Sequence, residues 1–195
     1  MMYDRAGDEE LMLRVADGNR DALNPLVRRH ADSLLTFIQR MIGDRHRAEE
    51  LFQEVFLAVW QRRRGYQYPR SFRAWLFGIA ANKCRADYRS ELRAPWTMSI
   101  APADSELEPP ANAAEPSPVE AAIATETATL VAQAVAMLPA QQRAVLVLKL
   151  WNGLDYAEIA RSLGSAPGTV RSHMFHALNA LRRYLEPRLR QSDDK

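Results

Sequence analysis

The sequence predicts an all-α protein of two small helical domains joined by an acidic, proline-rich linker. Three observations carry this. Apolar residues recur at three- and four-residue spacing over most of the chain, and no stretch alternates convincingly as a strand. A segment beginning at Ala94, APWTMSIAPADSELEPPANAAEPSPVE, breaks the pattern with six prolines and no basic residue. Charge divides at the same borders. Residues 1–93 carry 17 Lys/Arg against 13 Asp/Glu, 94–126 none against 6, and 127–195 carry 9 against 5. Two modestly basic blocks suit two polyanion-facing domains, although a solubilised surface would give the same balance.

The chain of 195 residues is 47% hydrophobic, enough to bury a real core. Its one cysteine, Cys84, cannot close an internal disulfide and sits in an apolar, helix-like context, which predicts a buried, inert thiol. The N-terminus is acidic without an apolar signal core, and no apolar run approaches a membrane span, so a cytoplasmic protein without membrane insertion is expected.

Taken in order, Leu11, Leu13 and Val15 open an apolar pattern that resumes at Ala22, Leu26 and Val27. It runs through Leu34, Leu35, Phe37, Ile38 and Met41 to a stop at Gly43. A helix over about 46–62 carries Ala48, Leu51, Phe52, Val55, Phe56 and Val59 on one face, with Glu50, Gln53, Glu54, Leu57 and Gln61 opposite. RRRGYQYPR (62–70) interrupts the periodicity with Gly65 and Pro69. A third helix over about 71–91 has Phe72, Trp75, Leu76, Ile79 and Ala86 as its stripe. The proline-rich segment reads as a mobile or extended linker over 94–126. Helical periodicity returns from Ala121 to Met137, and after Pro139 a short helix uses Val145, Leu146, Leu148 and Leu150 as apolar members.

GLDYAEIARSLGSAPGTVRSHMFHALNALRRYL has the grammar of a helix-turn-helix. Asp155 and Glu158 have capping-box spacing, Ile159 and Leu163 face inward, and Ala160 permits close helix approach. Gly164 ends that helix, and Ser165 can cap the next with Pro167 in its first turn. At 100° per residue, Val170, Met174, Ala177, Leu178, Leu181, Tyr184 and Leu185 form one apolar arc. Arg171, Ser172, Phe175, His176, Asn179, Arg182 and Arg183 fall on the other side. The core stripe is complete without Phe175, so an aromatic stands among cations and small polar groups. In such motifs the N-terminal exposed residues of the second helix enter the DNA major groove. Arg171 could donate two hydrogen bonds to one guanine, worth about 1–3 kcal/mol of discrimination. Ser172 and His176 could reach bases or phosphates, and Phe175 a thymine methyl. The same grammar also describes plain helical hairpins. His173 and His176 stand at a spacing a metal could use, but no Cys or acidic residue lies near them in sequence.

With these motifs assembled, the sequence resembles the bacterial sigma factors of the extracytoplasmic-function class, within the sigma-70 family. LPAQQRAVLVLKLWNGLDYAEIARSLGSAPGTVRSHMFHALNALRRYL resembles their region 4. GDRHRAEELFQEVFLAVW and SFRAWLFGIAANKCRADYR resemble regions 2.2 and 2.3–2.4, and the stretch from Asp8 to Asp44 resembles region 2.1 and its lead-in. The blocks occur in the family's order and separation. The resemblance implies a subunit that directs core RNA polymerase to specific promoters and is not itself an enzyme. Residues 1–93 would bind polymerase and read and melt the −10 element, and residues 127–195 would read the −35 element.

By the same resemblance, Glu50, Gln53, Glu54, Leu57 and Trp60 would dock on a coiled coil of the polymerase β′ subunit, and the C-terminal domain would contact the β flap. Single-stranded DNA at the −10 element wants cations for phosphates and flat or polar surfaces for bases. Arg62, Arg63, Arg64, Tyr66, Tyr68 and Arg70 supply such a loop. Asn82 matches a base-contacting position, with Arg73, Lys83, Arg85 and Arg89 as backbone clamps. Ser165, Thr169, Arg171, Ser172, Phe175, His176, Asn179, Arg182 and Arg183 would face the −35 element. Gly78 and Ala81 depart from the pattern, standing where many members carry a larger or basic residue. The acidic strip (Asp104, Glu106, Glu108, Glu115, Glu120) would lie toward the RNA exit channel or serve as an ordinary solvated tether. Members are commonly restrained by an anti-sigma protein, so such a partner is expected.

No nucleotide-binding loop, metal cluster or catalytic constellation is visible, so no cofactor, metal or small-molecule substrate is expected. A stand-alone helix-turn-helix regulator with a helical sensor domain is the rival reading. A helical hydrolase built on His30 or His46 is a weaker one, for want of a nucleophile near either histidine.

Overall fold

In the computed structural model the backbone is described over residues 6–91 and 118–193, and side chains over 6–89 and 127–188. Among the described residues there is no strand. The eight helices are α1 (Asp8–Ala16), α2 (Leu23–Ile42), α3 (Arg45–Gln61), α4 (Phe72–Glu91), α5 (Pro118–Ala136), α6 (Ala140–Leu150), α7 (Tyr156–Leu163) and α8 (Pro167–Asp193). A 3-10 turn, Arg63–Gly65, follows α3.

Local chemistry accounts for the borders. The α2 helix stops where Gly43 adopts φ +83°. Asp44 then caps α3, its carboxylate accepting from the Arg47 amide at 2.7 Å. At α7, Asp155 accepts from the Glu158 amide at 2.7 Å while Glu158 accepts from the Asp155 amide at 2.9 Å, completing the expected capping box. Gly164 closes α7 with φ +62°, a left-handed turn that a Cβ would disfavour. That turn sets the angle at which α8 leaves.

The N-terminal lobe packs α1 to α4 around Phe37, Phe72 and Phe77, with the Phe37 and Phe77 rings edge to face at 5.4 Å. The C-terminal lobe packs α5 to α8 around Val145, Leu146, Leu148, Ile159 and Val170. One continuous apolar cluster runs through both lobes, because α7 lies along α4 and α6 against α2.

Several apolar expectations are corrected. Leu13, Leu150 and Leu178 are exposed, and the inward positions of α1 are Leu11, Met12 and Val15. Ala86 on α4 is exposed. Conversely, every residue from Leu76 to Ala81 is buried. A helix covered by α2 and α3 on one side and α7 on the other has no solvent face at its centre, which erases the simple stripe. Helix α5 starts at Pro118, inside the range expected for the linker, and takes in Glu120 of the expected acidic strip, while 94–117, with Asp104, Glu106, Glu108 and Glu115, lie outside the described residues.

The lobe interface is polar as well as apolar. Arg40 of α2 lays its guanidinium over the Trp151 ring at 4.0 Å. Arg143 of α6 donates to the Met41 carbonyl at 2.6 Å, and the Asn152 amide donates to the Ser33 carbonyl at 2.9 Å. Arg73 of α4 donates to the Asn152 carbonyl. At the centre, Gly78 meets the backbone of Ser162: a Cβ there would stand 2.8 Å from the Ser162 carbonyl oxygen.

Candidate nucleic-acid interface

Apart from exposed Leu178, the surface of α8 divides along the predicted arc. Val170, Met174 and Ala177 are buried against α6 and α7, while Thr169, Arg171, Ser172, Phe175, His176, Asn179, Arg182 and Arg183 are exposed. Ser165, in the turn, is half-buried. Phe175 is 63% exposed, with only an edge-on contact to His176 at 5.6 Å. Exposed Arg171 has its guanidinium 5.8 Å from the Tyr156 ring centroid. Arg182 and Glu186 approach at 3.8 Å, an exposed pair of little energetic weight. An open groove of about 660 Å³ follows this strip, lined by Pro139, Gln142, Asn179, Arg182 and Arg183 among others. This is a convex cationic face with one aromatic, beside a shallow trough.

The second cationic surface lies between α3 and α4. Arg62, Arg64, Tyr68 and Arg70 are exposed. Asn82 is exposed on α4, its side-chain oxygen accepting weakly from Arg85 at 3.4 Å, and Arg89 donates to the Arg85 carbonyl at 3.3 Å. Four expected members behave differently. Tyr66 is buried: it packs edge to face on Trp75 at 5.3 Å, and its hydroxyl is spent on the Arg70 carbonyl. Burial pushes its phenol up to about 12. Its role is to brace the loop from inside. Arg63 stacks on Trp60 at 4.1 Å and donates to the Trp60 carbonyl at 2.8 Å. Arg73 points into the lobe interface. Lys83 pairs with Glu54 at 2.7 Å.

On α3, Glu50, Gln53 and Leu57 are exposed, Glu54 is half-exposed, and Leu57 at 56% is an apolar centre with an acidic rim. The Lys83 ammonium beside Glu54 holds that carboxyl below its usual range. Trp60 lies at the edge between two cations, Arg63 and Arg20, the latter at 5.2 Å.

Residues that sequence reasoning missed tie these surfaces together. Arg47 brings Nε and Nη2 to one oxygen of Asp87 at 2.7 and 2.6 Å, and Nη1 to Glu50 at 2.6 Å. The acidic face of α3 and helix α4 are thereby fixed to each other. Asp87, 40 residues from Arg47, gave no local signal. His30 is likewise structural: its Nε2 lies 2.6 Å from Asp8, and its ring packs on Phe72 at 5.4 Å. Cys84 is buried, which pushes its thiol up to about 12 and leaves it unreactive. Among the described residues no group of three or more His, Cys, Asp or Glu could hold a metal, and no helix is long and apolar enough to cross a membrane.

Comparison with known proteins follows the same division. Residues 26–94 match the family described as Sigma-70 region 2, and residues 128–181 match Sigma-70, region 4. The chain is 29% identical over 193 residues to the RNA polymerase sigma-H factor of Pseudomonas aeruginosa, covering 98% of this chain and 100% of that protein. It is 34% identical over 185 residues to the ECF RNA polymerase sigma factor ShbA of Streptomyces griseus, covering 90% and 94%. Among solved structures, CnrH in complex with the cytosolic domain of CnrY superposes with a TM-score of 0.69 at 25% identity, over 92% of this chain and 97% of that one. The sigma factor RpoE of Bartonella quintana, solved with the anti-sigma factor NepR, shares the fold at 22% identity with a TM-score of 0.63, over 84% of this chain and 96% of that one.

Proposed function

The chain belongs to the extracytoplasmic-function sigma factors of the sigma-70 family, and from that premise we propose how its surfaces divide the work. A sigma factor directs core RNA polymerase to promoters and leaves the chemistry to the polymerase. The exposed face of α8 reads the −35 element, with Arg171, Ser172, Phe175 and His176 entering the major groove. The loop cations with Tyr68, and Asn82, Arg85 and Arg89 on α4, hold the −10 element as a single strand. Tyr66 supports that loop without touching DNA. The Leu57 face of α3 docks on the β′ coiled coil, and the C-terminal lobe takes the β flap. The acidic strip reaches toward the RNA exit channel. All of this takes place in the cytoplasm, where the polymerase is.

The observation that carries the reading is the exposure of Phe175 among cations on a helix whose core stripe is already filled. Solvent alone gives no reason for a large aromatic there; a base edge or sugar does. The RpoE sigma factor of Bartonella quintana was solved with its anti-sigma factor NepR, which supports a protein inhibitor for this chain too.

The test is reconstitution with core polymerase on a promoter library. Promoter-selective transcripts that depend on the added chain are expected. If a stable complex with polymerase forms and no selectivity appears, the reading fails. A tight symmetric footprint without polymerase would favour a stand-alone regulator instead.

A further inference from the structure

Trp60 carries more positive charge than a polymerase-docking role explains. The Arg63 guanidinium lies 4.1 Å from its ring centroid, and that of Arg20 lies 5.2 Å away. The two cations are therefore no farther apart than the sum of those distances. Arg63 belongs to the 3-10 turn after α3, whereas Arg20 belongs to the turn that joins α1 to α2. That second turn is pinned locally. The Asn19 side-chain oxygen accepts from the Asp21 and Ala22 amides at 3.0 and 3.2 Å, and the Arg20 carbonyl accepts from the Leu23 amide at 3.0 Å. Helix α1 also rests against the 3-10 turn. An exposed side chain is thus carried on a fixed backbone.

These cations lack anionic partners. Among the described residues no carboxylate forms an ion pair with Arg20, Arg62, Arg63 or Arg64, although Asp17 and Asp21 stand close to Arg20 in sequence. Arg63 spends Nη1 on the Trp60 carbonyl, and its Nε is buried without a hydrogen-bond partner. A guanidinium held over an indole keeps its in-plane donors for a planar or tetrahedral anion. Two cations on one ring also repel each other, and a bound anion relieves that repulsion. The neighbouring surfaces decide which anion. A partner complementary to the acidic rim of Leu57 carries cations and is repelled here, while a DNA backbone is drawn in. The exposed residues Arg62, Arg64, Tyr68 and Arg70 continue the same surface along the chain.

Resting on the sigma-factor reading, we propose that Arg20 and Arg63, seated on Trp60, form a phosphate site that carries the opened −10 strand from the 62–70 loop onto the α1–α2 turn. Arg20 is then a further DNA-backbone contact. Trp60 is the platform that holds it and not a docking residue for polymerase. The site reads no base and adds a sequence-independent hold on the single strand.

The experiment compares the full-length wild type with Arg20→Ala, Arg20→Lys and Arg28→Ala, the last removing an exposed arginine of α2 as a control for charge alone. Binding of a fluorescent oligothymidine of about 20 nucleotides to the free chain is titrated against salt. The same titration is run for the reconstituted holoenzyme on promoter DNA whose −10 region is held open by mismatches, and core-polymerase affinity is measured beside it. Arg20→Ala should lower the log–log salt slope by about 0.7, one single-strand phosphate, and weaken binding about fivefold at about 0.1 M salt. Arg20→Lys should keep the slope, and core affinity should hold for both. A loss for Arg20→Ala no greater than for Arg28→Ala overturns the site. Weakened core binding with DNA affinity intact returns Trp60 to the docking face and overturns it equally. If the free chain binds the oligonucleotide too weakly to titrate, the holoenzyme measurement decides. Promoter-selective transcription that persists while Arg20 proves idle leaves the sigma reading standing without this site. An Arg20 effect on oligothymidine without selective transcription keeps the phosphate site and overturns its place at the −10 element.

Discussion

Replacing Arg171 with alanine isolates sequence reading from mere attachment. The side chain is exposed near the start of α8, and its intramolecular contact is the Tyr156 ring at 5.8 Å. A bidentate base contact discriminates by about 1–3 kcal/mol. Leaving an exposed cation–π contact costs about 0.5–1 kcal/mol. That cost falls on every sequence alike, so the preference at one base pair stays about 1–3 kcal/mol, or roughly 5- to 140-fold at 1.4 kcal/mol per decade. Because no buried group loses a partner, stability should change by less than about 0.5 kcal/mol. The assay is transcription by the reconstituted holoenzyme from a library randomised across the −35 element, with wild type and Arg171→Ala side by side. Loss of preference at a single position, with near-normal output from sequences that never satisfied it, is expected. A uniform drop across the library, with the salt dependence of binding reduced by about one phosphate, would mean that Arg171 holds backbone and reads nothing.

Leu57→Glu should leave the melting temperature unchanged, because Leu57 is 56% exposed, yet weaken core-polymerase binding by at least about tenfold; co-elution and fluorescence titration measure it, and wild-type affinity would remove α3 as the docking face. Asp155→Ala removes the acceptor of the Glu158 amide and should cost about 1 kcal/mol of stability in urea unfolding, with −35 binding weakened in step through the α7–α8 geometry. Asp8 is held below its ordinary carboxylate pKa chiefly by its hydrogen bond to His30. A depressed folded pKa stabilises above the unfolded value of 3.8 and loses that contribution as pH falls through the folded value. The stability gap between wild type and Asp8→Asn should therefore be open at about pH 5 and close as pH falls below about pH 4. A gap that widens on acidification would contradict the pairing.

The legible and illegible parts of this fold differ by the range of the interactions behind them. Gly43, the Asp155–Glu158 box and Gly164 were readable because each acts within four residues of itself. The α8 division was readable because a helix on the protein surface has one wet and one dry side. Misreadings arise where tertiary neighbours, or their absence, decide a side chain's surroundings. Apolar spacing marks a residue as able to be buried and does not name the neighbour, so Leu13, Leu150 and Leu178 passed as core while standing in solvent. Tyr66 looked like a stacking platform because it alternates with arginines, yet the loop turns it onto Phe72 and Trp75. Of the eight cations expected at the −10 element, Arg63 turns onto nearby Trp60, while Arg73 and Lys83 found partners 79 and 29 residues away, invisible in one dimension.

By itself the sequence determined the helices, the Asp155–Glu158 capping box, the glycine stops at Gly43 and Gly164, the two-lobe division and the cationic face of α8, since periodicity, turn chemistry and local charge suffice for each. Tertiary structure alone decided that the lobes close on one another. The Asn152–Ser33 bond joins residues 119 apart, and the contact at Gly78 depends on a missing side chain. Neither the pairing of distant polar groups nor an empty volume awaiting another backbone leaves a periodic trace in the chain, so packing had to reveal both.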